Sequence, residues 1–308
     1  MEREWIEWLR ERLPPHPLLK LGIGDDTAVL SLGGDRDALV TTDIITDQID
    51  FRLDECTPQQ IGRKALAVNL SDIAAMAGEP LAAVVGLILP RGGALTLSQG
   101  LYEGMLPLAE EFGVAIAGGD TNSWDGPLAV SITLLGRVGA HGVLRRDGAR
   151  PGDKIIVTGE FGGSILGHHF TLTPRVRESL LIKERYSLSA GMDCSDGLSL
   201  DLSRLAAASG CGACLDRKLV PVSQAAEQLS QQDGVSSVDH ALADGEDFEL
   251  ILAVPESAAT AMLDEQPLLE PHGVRLTCIG EFIREPGLWE LDERGQRRAL
   301  LPRGYLHT

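Results

Sequence analysis

Apolar positions recur along the chain with two spacings, which predict alternating helices and strands. Helical spacing predicts a helix over residues 4–13, which Pro14 ends. Thr57 and Pro58 are typical of a helix start, and the mostly apolar segment that runs from them to Met76 predicts a buried helix. The other elements predicted in the first half are a helix over residues 96–112 and strands over residues 38–43, 81–89 (expected to be buried), 114–117 and 129–136.

A polar segment with glycine, proline and arginine, residues 144–153, separates this half from the next and predicts a domain boundary. We therefore predict an N-terminal α/β domain over residues 1–143 and a C-terminal α+β domain over residues 144–308, as the length also favours. The arginines of the segment could clamp a nucleotide phosphate. For Arg145 and Arg150 a solvated turn is the simpler interpretation.

Carboxylates stand beside small residues or hydroxyls near the ends of five predicted elements. Each alone is most simply a polar turn or a helix cap. Together they suggest a site for several hard cations such as Mg²⁺, which prefer oxygen ligands and accompany phosphate. The five are Asp25 with Asp26, Asp43, Asp72, Asp120, and Asp193 with Asp196.

Two of these turns raise narrower expectations. Asp25 and Asp26 follow the turn Gly22-Ile23-Gly24, and in a strand their side chains point to opposite faces, so one of them can face a given site. Asp72 shares a helix face with Asn69 and needs a partner if it is buried. That partner is either a metal ion or a contact with Lys64 or the backbone, and the sequence leaves both open.

The net charge of −18 argues against a nucleic-acid or anionic-membrane partner, because no basic face exists to meet phosphates. No run of about 20 apolar residues predicts a membrane span. Five scattered cysteines fit reduced thiols in a cytoplasm. Cys211 and Cys214 form a lone C-x-x-C, a weak zinc signal that we interpret as small buried residues, and we expect the pair His168-His169 to be solvated.

The motifs favour phosphoryl transfer over other chemistries. The sequence has no Walker A and no G-x-G-x-x-G motif, and no spacing supports a Ser-His-Asp triad. Glycoside hydrolysis needs two carboxylates, and five acidic turns exceed that need. In phosphoryl transfer, positioning and metal electrostatics do most of the catalysis and no covalent nucleophile is required.

The ordered motifs resemble the thiamine-monophosphate kinase family over nearly the whole chain. They are residues 22–26, 41–43, 67–76, 118–121, 148–153, 193–198, 245–250 and the tail 304–307. The resemblance implies a two-domain fold shared with aminoimidazole ribonucleotide synthetase, of the α/β and α+β classes, whose N-terminal domain contributes to a dimeric β-barrel. It also implies a homodimer.

The implied reaction transfers the ATP γ-phosphoryl group to thiamine monophosphate by direct in-line attack, with several Mg²⁺ ions and possibly K⁺. By motif position the resemblance implies metal ligands at Asp26, Thr41, Thr42, Asp43, Asp72, Asp120, Asp193 and Asp196. It implies ATP contacts at Tyr102, Gly118, Gly119, Arg146 and Ser195, and substrate contacts at Asp50, Glu246 and Tyr305.

Two departures and two alternatives stay open. Many members of the family carry His where this chain has Asp50, and the segment 164–192 is shorter than the family's. One alternative is another ATP-dependent enzyme of the superfamily, of the cyclo-ligase, selenophosphate synthetase or hydrogenase-maturation dehydratase type. The first cysteine, Cys56, and the ending Leu306-His307-Thr308 weaken the last two. The other alternative is a non-catalytic binder of nucleotide or thiamine phosphate.

Overall fold

Two mixed β-sheets with packed helices form the structure, a computed structural model that describes residues 2–34, 37–291 and 294–306. Two 3₁₀ turns cover Ser164–Leu166 and Arg217–Leu219. The helices are α1 (Glu2–Arg12), α2 (Pro58–Ala75), α3 (Ala94–Phe112), α4 (His168–Thr171), α5 (Val176–Arg185), α6 (Leu198–Ala208), α7 (Gln224–Asp233), α8 (Ser237–Ala243), α9 (Glu256–Glu265) and α10 (Leu269–His272).

The first sheet uses the first half of the chain. Its strands are β1 (Leu19–Leu21), β2 (Ala28–Ser31), β3 (Asp37–Thr46), β4 (Gly78–Pro90), β5 (Ala115–Trp124) and β6 (Ala129–Val138). Their order is β1-β2-β3-β6-β4-β5, and the pair β4–β5 is parallel whereas the other pairs are antiparallel. Each predicted strand of this half is present. The end of β5 lies seven residues beyond the predicted end at 117, and the other boundaries differ by at most three residues.

Helix α2 is the central element of this half. Thr57 caps it, with reciprocal bonds between Thr57 and Gln60, and Pro58 occupies the first turn as predicted. A Cβ at Gly62 would lie 1.9 Å from the carbonyl oxygen of Leu101, so glycine is required where α2 crosses α3. The helix is buried along most of its length, which places its polar side chains in the interior.

One face of the first sheet is covered and the other is open. In β4, Val85 and Leu87 lie in the core with α2, whereas Val84 and Ile88 are 43% and 44% exposed. The expectation of a buried strand over residues 81–89 was therefore wrong for half of its side chains. The apolar run was continuous because both faces are apolar, although the chain itself covers one of them.

The second sheet uses the rest of the chain and is covered on both faces. Its strands are β7 (Lys154–Thr158), β8 (Ala190–Asp193), β9 (Gly212–Asp216), β10 (Leu250–Val254), β11 (Leu276–Ile283), β12 (Gly287–Leu291) and β13 (Arg297–Ala299), in the order β13-β12-β9-β11-β7-β10-β8. In β10, Ile251 packs in one core and Leu252 in another, so alternate side chains of the strand enter two separate cores.

The division into domains of residues 1–143 and 144–308 stays a prediction. Among the described residues, no helix is long and apolar enough to cross a membrane. The cytoplasmic location also stays a prediction. His307 of the predicted tail motif lies outside the described residues.

Candidate active site

Three carboxylates from distant parts of the chain meet beside α2. Asp26 follows the glycine turn before β2, Asp72 lies in the last turn of α2, and Asp193 ends β8. One oxygen of each lies within 4.8 Å of the others. Such a group of oxygen ligands fits a hard divalent cation. The sequence predicted all three, and the structure brings them together.

Neighbouring side chains fix the orientation of each carboxylate. Thr41, on β3, donates a short hydrogen bond to Asp72, and Ser71 donates to Asp193 Oδ2 at 2.6 Å. Arg146 donates hydrogen bonds from two nitrogens to the Asp26 carboxylate, and its Nε lies 3.0 Å from Oδ2. Such charge-assisted pairs hold a geometry well. Ser71 was not predicted, although it stands next to Asp72 in the motif.

The carboxylates repel one another in a buried place. Burial and three neighbouring carboxylates raise the pKa of Asp72 well above its usual range. Burial, together with the charge of Asp26, does the same to the pKa of Asp193. Asp43 stands beside Asp72, its pKa is raised to about 6 mainly by burial, and its Oδ2 has no hydrogen-bond partner among the described residues. A cation would relieve this repulsion and supply the missing partner.

Asp25 and Asp26 make different contacts, although they are adjacent in sequence. Asp26 faces the other carboxylates, whereas Asp25 accepts the backbone N–H of Asp26 at 3.1 Å and that of Arg146 at 3.2 Å. Burial and the charge of Asp26 raise the pKa of Asp25 to about 6. Gly24 has φ 128°, and a Cβ there would collide with Arg10. The backbone directly before the two acids therefore has a conformation that favours glycine.

The end of β3 contributes side chains to both faces of the sheet. Asp43 turns toward α2, where its backbone N–H donates to Asn69 Oδ1 at 3.2 Å. Thr42 lies on the opposite face and donates to the Ile132 carbonyl at 3.1 Å. Alternation along a strand accounts for this split. The side chain of Thr42 is therefore directed away from the three carboxylates.

The glycines before Asp120 allow two strands to approach closely. A Cβ at Gly119 would lie 1.8 Å from the Val85 carbonyl oxygen, and Gly118 has φ 141° where the register between β4 and β5 shifts. Asp120 itself is exposed on β5 and accepts the N–H of Thr121 at 2.9 Å. It is not one of the three converging carboxylates. Tyr102 lies on α3, half-buried against the first core.

The turn after β8 and the chain's tail meet at a second acidic position. Asp196 pairs with Arg204 on α6, and its carbonyl oxygen accepts the N–H of Tyr305 at 2.9 Å. Gly304 permits this contact, since a Cβ there would lie 2.3 Å from that oxygen. Ser195 is half-buried beside them, and the ring of Tyr305 is exposed. The tail is therefore brought to the edge of the site.

Lys64 is a fully buried lysine that sequence analysis assigned to no site. Its Nζ lies 2.5 Å from Glu246 Oε1 and donates to the Asp50 carbonyl at 2.6 Å. Both partners were predicted as substrate contacts. Lys64 does not pair with Asp72, so that alternative for Asp72 is excluded, and Thr41 is the partner found.

Two further expectations have clear outcomes. His169 is buried at 4% exposure and its Nδ1 contacts the Ser164 carbonyl at 2.7 Å, so the expectation of a solvated pair was wrong for this residue. The glycines around Ser164 hid the packing, because they break any periodicity. Cys211 and Cys214 are buried free thiols, as interpreted.

Family models match both halves of the chain. The AIR synthase related protein N-terminal domain matches residues 24–138, and the C-terminal domain of the same family matches residues 150–288. The protein is therefore an AIR synthase related protein with the two-domain fold. Hydrogenase maturation protein HypE of Escherichia coli shares this fold, with a TM-score of 0.74 and 22% identity over 99% of each chain.

Closer relatives narrow the class. A thiamine-monophosphate kinase from Rhodopirellula baltica is 41% identical over 100% of this chain and 97% of its own length, and that of Escherichia coli K12 is 32% identical over 92% and 93%. A structure of AaThiL complexed with AMPPCP and TMP superposes with a TM-score of 0.83 at 25% identity, over 100% of this chain and 96% of that one. The chain belongs to the thiamine-monophosphate kinase family, which confirms the resemblance drawn from the motifs.

Proposed function

We propose that this protein transfers the γ-phosphoryl group of ATP to thiamine monophosphate, which gives thiamine diphosphate and ADP. The observation that carries the proposal is the convergence of three carboxylates in a chain that is 41% identical to a thiamine-monophosphate kinase along its whole length. AaThiL, the structural neighbour, is complexed with AMPPCP, an ATP analogue, and with TMP. ATP is thus the co-substrate.

The residues fit Mg²⁺ ions. Asp26, Asp72 and Asp193 would hold them, and the unpartnered Oδ2 of Asp43 offers a further oxygen. When bound, Mg²⁺ neutralises phosphate oxygens and so stabilises the charge that develops during transfer. K⁺ stays a prediction from the family resemblance.

The chain's own residues position the reactants. Thr41 and Ser71 orient two of the carboxylates, and Asp25 holds the backbone of Arg146. Burial alone would lower the pKa of Arg146, but the carboxylate of Asp26 has the larger effect and raises this pKa. The guanidinium is therefore always charged and can bind ATP phosphates. The acceptor is a phosphate oxygen that is already ionised, so the in-line attack requires no covalent nucleophile on the protein.

The remaining contacts belong to the same proposal. We assign metal contacts also to Thr41, Asp120 and Asp196, ATP contacts to Tyr102, Gly118, Gly119, Arg146 and Ser195, and substrate contacts to Asp50, Glu246 and Tyr305. Thr42 receives no side-chain metal contact, because its hydroxyl lies on the opposite face of the sheet. Support comes from position. The tail with Tyr305 lies against Asp196, and Glu246 is anchored beside the 46–50 turn through Lys64.

A homodimer that closes the open face of the first sheet is part of the proposal. Ile44, Val84, Ile88 and Leu135 leave 38–64% of their surface exposed on that face. Apolar sheet faces of this kind are normally covered, and a second copy in a β-barrel would cover this one. Val84→Asp should give a monomer by light scattering after size exclusion, whereas Val235→Asp, on an exposed loop, should stay dimeric. A wild-type monomer would contradict the proposal.

A steady-state assay tests the function directly. The protein is incubated with ATP and thiamine monophosphate, with and without Mg²⁺, and thiamine diphosphate and ADP are quantified. We expect both products in equal amounts and in the presence of Mg²⁺. ADP with inorganic phosphate and no thiamine diphosphate would favour another ATP-dependent chemistry of the fold. Binding of both ligands without turnover would favour a non-catalytic binder.

A further inference from the structure

Lys64 occupies an unusual position for a lysine. Its side chain has 0% exposure, although it belongs to the residue type that is rarely buried. Removing an ammonium from water costs several kcal/mol unless its protons find partners. Here the partners are Glu246 Oε1 at 2.5 Å, the Asp50 carbonyl at 2.6 Å and the ring of Phe170, whose centroid lies 5.8 Å away.

These partners come from separate segments of the chain. Lys64 lies on α2 beneath the first sheet, and Asp50 lies in the turn after β3. Glu246 lies between α8 and β10 of the second unit, and Phe170 lies on α4. One ammonium therefore connects two loops and the short helix α4, from both halves of the chain, to α2.

The segment that carries Glu246 has a strained backbone. Gly245, Glu246 and Phe248 have φ of 75°, 55° and 52°, a left-handed region that is unfavourable for the two non-glycine residues. Such a conformation persists where several neighbouring contacts hold the backbone in place. The Glu246 N–H donates to the Ser195 carbonyl at 2.6 Å, Ser164 donates to the Glu246 carbonyl at 2.6 Å, and Lys64 fixes the side chain.

The carboxylate of Glu246 is held but not enclosed. Its side chain keeps 33% of its surface exposed, whereas Lys64 behind it has none. A ligand in this part of the site can therefore reach Glu246 and cannot reach the ammonium. Lys64 must act through its partners.

We propose that Lys64 is a positioning residue for the organic part of thiamine monophosphate, because it fixes Glu246 and the turn at Asp50 as one wall of the substrate pocket. This inference rests on the proposed function. The Glu246 carboxylate stays partly exposed beside the ammonium, where it can face the positive thiazolium ring. Since Lys64 and Asp72 stand eight positions apart on α2, roughly 12 Å along the axis, the helix separates this wall from the phosphate end.

Three variants and one control test the inference with the full-length protein. Lys64→Met removes the charge with similar length, Glu246→Gln removes the carboxylate, and the double variant removes both and leaves no unpaired buried charge. Lys154→Met is the control, since it removes another lysine ion pair, with Glu281. KM is measured for each substrate separately.

We expect Lys64→Met and Glu246→Gln each to raise the KM for thiamine monophosphate by about 10–100-fold, with the KM for ATP within about twofold of wild type. The double variant should be no worse than either single variant, because both changes break one unit. The control should match wild type. If Lys64→Met fails to fold, the double variant still gives the KM comparison.

Three results would overturn the inference alone. Equal rises of both KM values in Lys64→Met would mean a general structural role. Fully additive effects in the double variant would mean that the two residues act independently. Unchanged KM values with an active wild-type enzyme would remove the role of Lys64 and leave the proposed function intact. A wild-type protein that makes no thiamine diphosphate would instead overturn the proposed function and the inference with it.

Discussion

Helix α2 carries two polar groups that balance their charges differently. Near its start, Lys64 is matched by Glu246 at 2.5 Å and by the Asp50 carbonyl. Near its end, Asp72 stands within 4.8 Å of two other carboxylates. The first group is complete within the protein. The group around Asp72 has an excess of negative charge, and Arg146 compensates only the charge of Asp26.

The difference indicates what each end of the site binds. A buried excess of carboxylates is costly, and the cost falls when cations enter, so the Asp72 end suits Mg²⁺ and the phosphates that accompany it. The Lys64 end needs no ion. Its partners are already fixed, which suits recognition of an organic group by shape and by one carboxylate.

The largest expected effect comes from Asp72→Asn. Asparagine keeps an oxygen for the Thr41 hydroxyl but removes the charge that would hold Mg²⁺. We expect kcat to fall by about 10³-fold, as for other lost electrostatic contacts at transferring groups. The metal-free melting temperature should not fall, because a repulsive carboxylate is gone. Asp125→Asn, at an exposed pair with Arg91, is the control and should keep full activity. Full activity of Asp72→Asn would refute the metal role.

A smaller difference is expected within the first acidic turn. Asp26→Asn loses a cation ligand and leaves Arg146 unmatched, so its kcat/KM should fall by about 10²–10³-fold. Asp25→Asn keeps one acceptor for two backbone N–H groups and should lose about tenfold. The measurement is kcat/KM for ATP in both variants. A greater loss in Asp25→Asn would reverse the assignment of the two residues.

The smallest effect concerns the loop that carries Glu246. His240 Nδ1 lies 3.0 Å from Asp244, whose other oxygen accepts the Gly163 N–H at 2.8 Å. Burial lowers the pKa of His240, but its bonds to Asp244 and Asp233 outweigh burial and raise it. Because the pKa is higher in the folded state than in the unfolded state, protonated His240 stabilises the fold. This stabilisation is fully present at a pH below the unfolded-state pKa of about 6.5, and it is lost as the pH rises through the folded-state pKa.

His240→Gln should therefore lose more stability at pH 6 than at pH 9. Urea unfolding of the variant and wild type at both pH values measures this difference. An equal loss at the two pH values would show that the charge of His240 does not contribute.

Much of the carboxylate end could be predicted from sequence, because its residues lie in short motifs next to the turns that expose them. Thr57 and Pro58 indicate the start of a helix, and Gly24 indicates a tight turn before the two acids. The Lys64 end could not be predicted in this way. Lys64 and Glu246 are far apart in sequence, and although the helix was predicted to be buried, nothing in the sequence pairs the two residues.

The periodicity of apolar residues could not predict that one face of the first sheet is exposed. A continuous apolar run predicts burial, and it does not say whether the covering layer belongs to the same chain. In β10 the run is covered on both faces within the chain, whereas in β4 one face is exposed.

The most direct test of the contrast along α2 is the effect of Mg²⁺ on the melting temperature, measured with the ATP analogue AMPPCP present. We predict that Mg²⁺ raises the melting temperature of the wild type and of Lys64→Met by similar amounts, and that Asp72→Asn loses most of this rise. A full Mg²⁺-dependent rise in Asp72→Asn, or its loss in Lys64→Met, would contradict the division of the helix into a cation end and a substrate end.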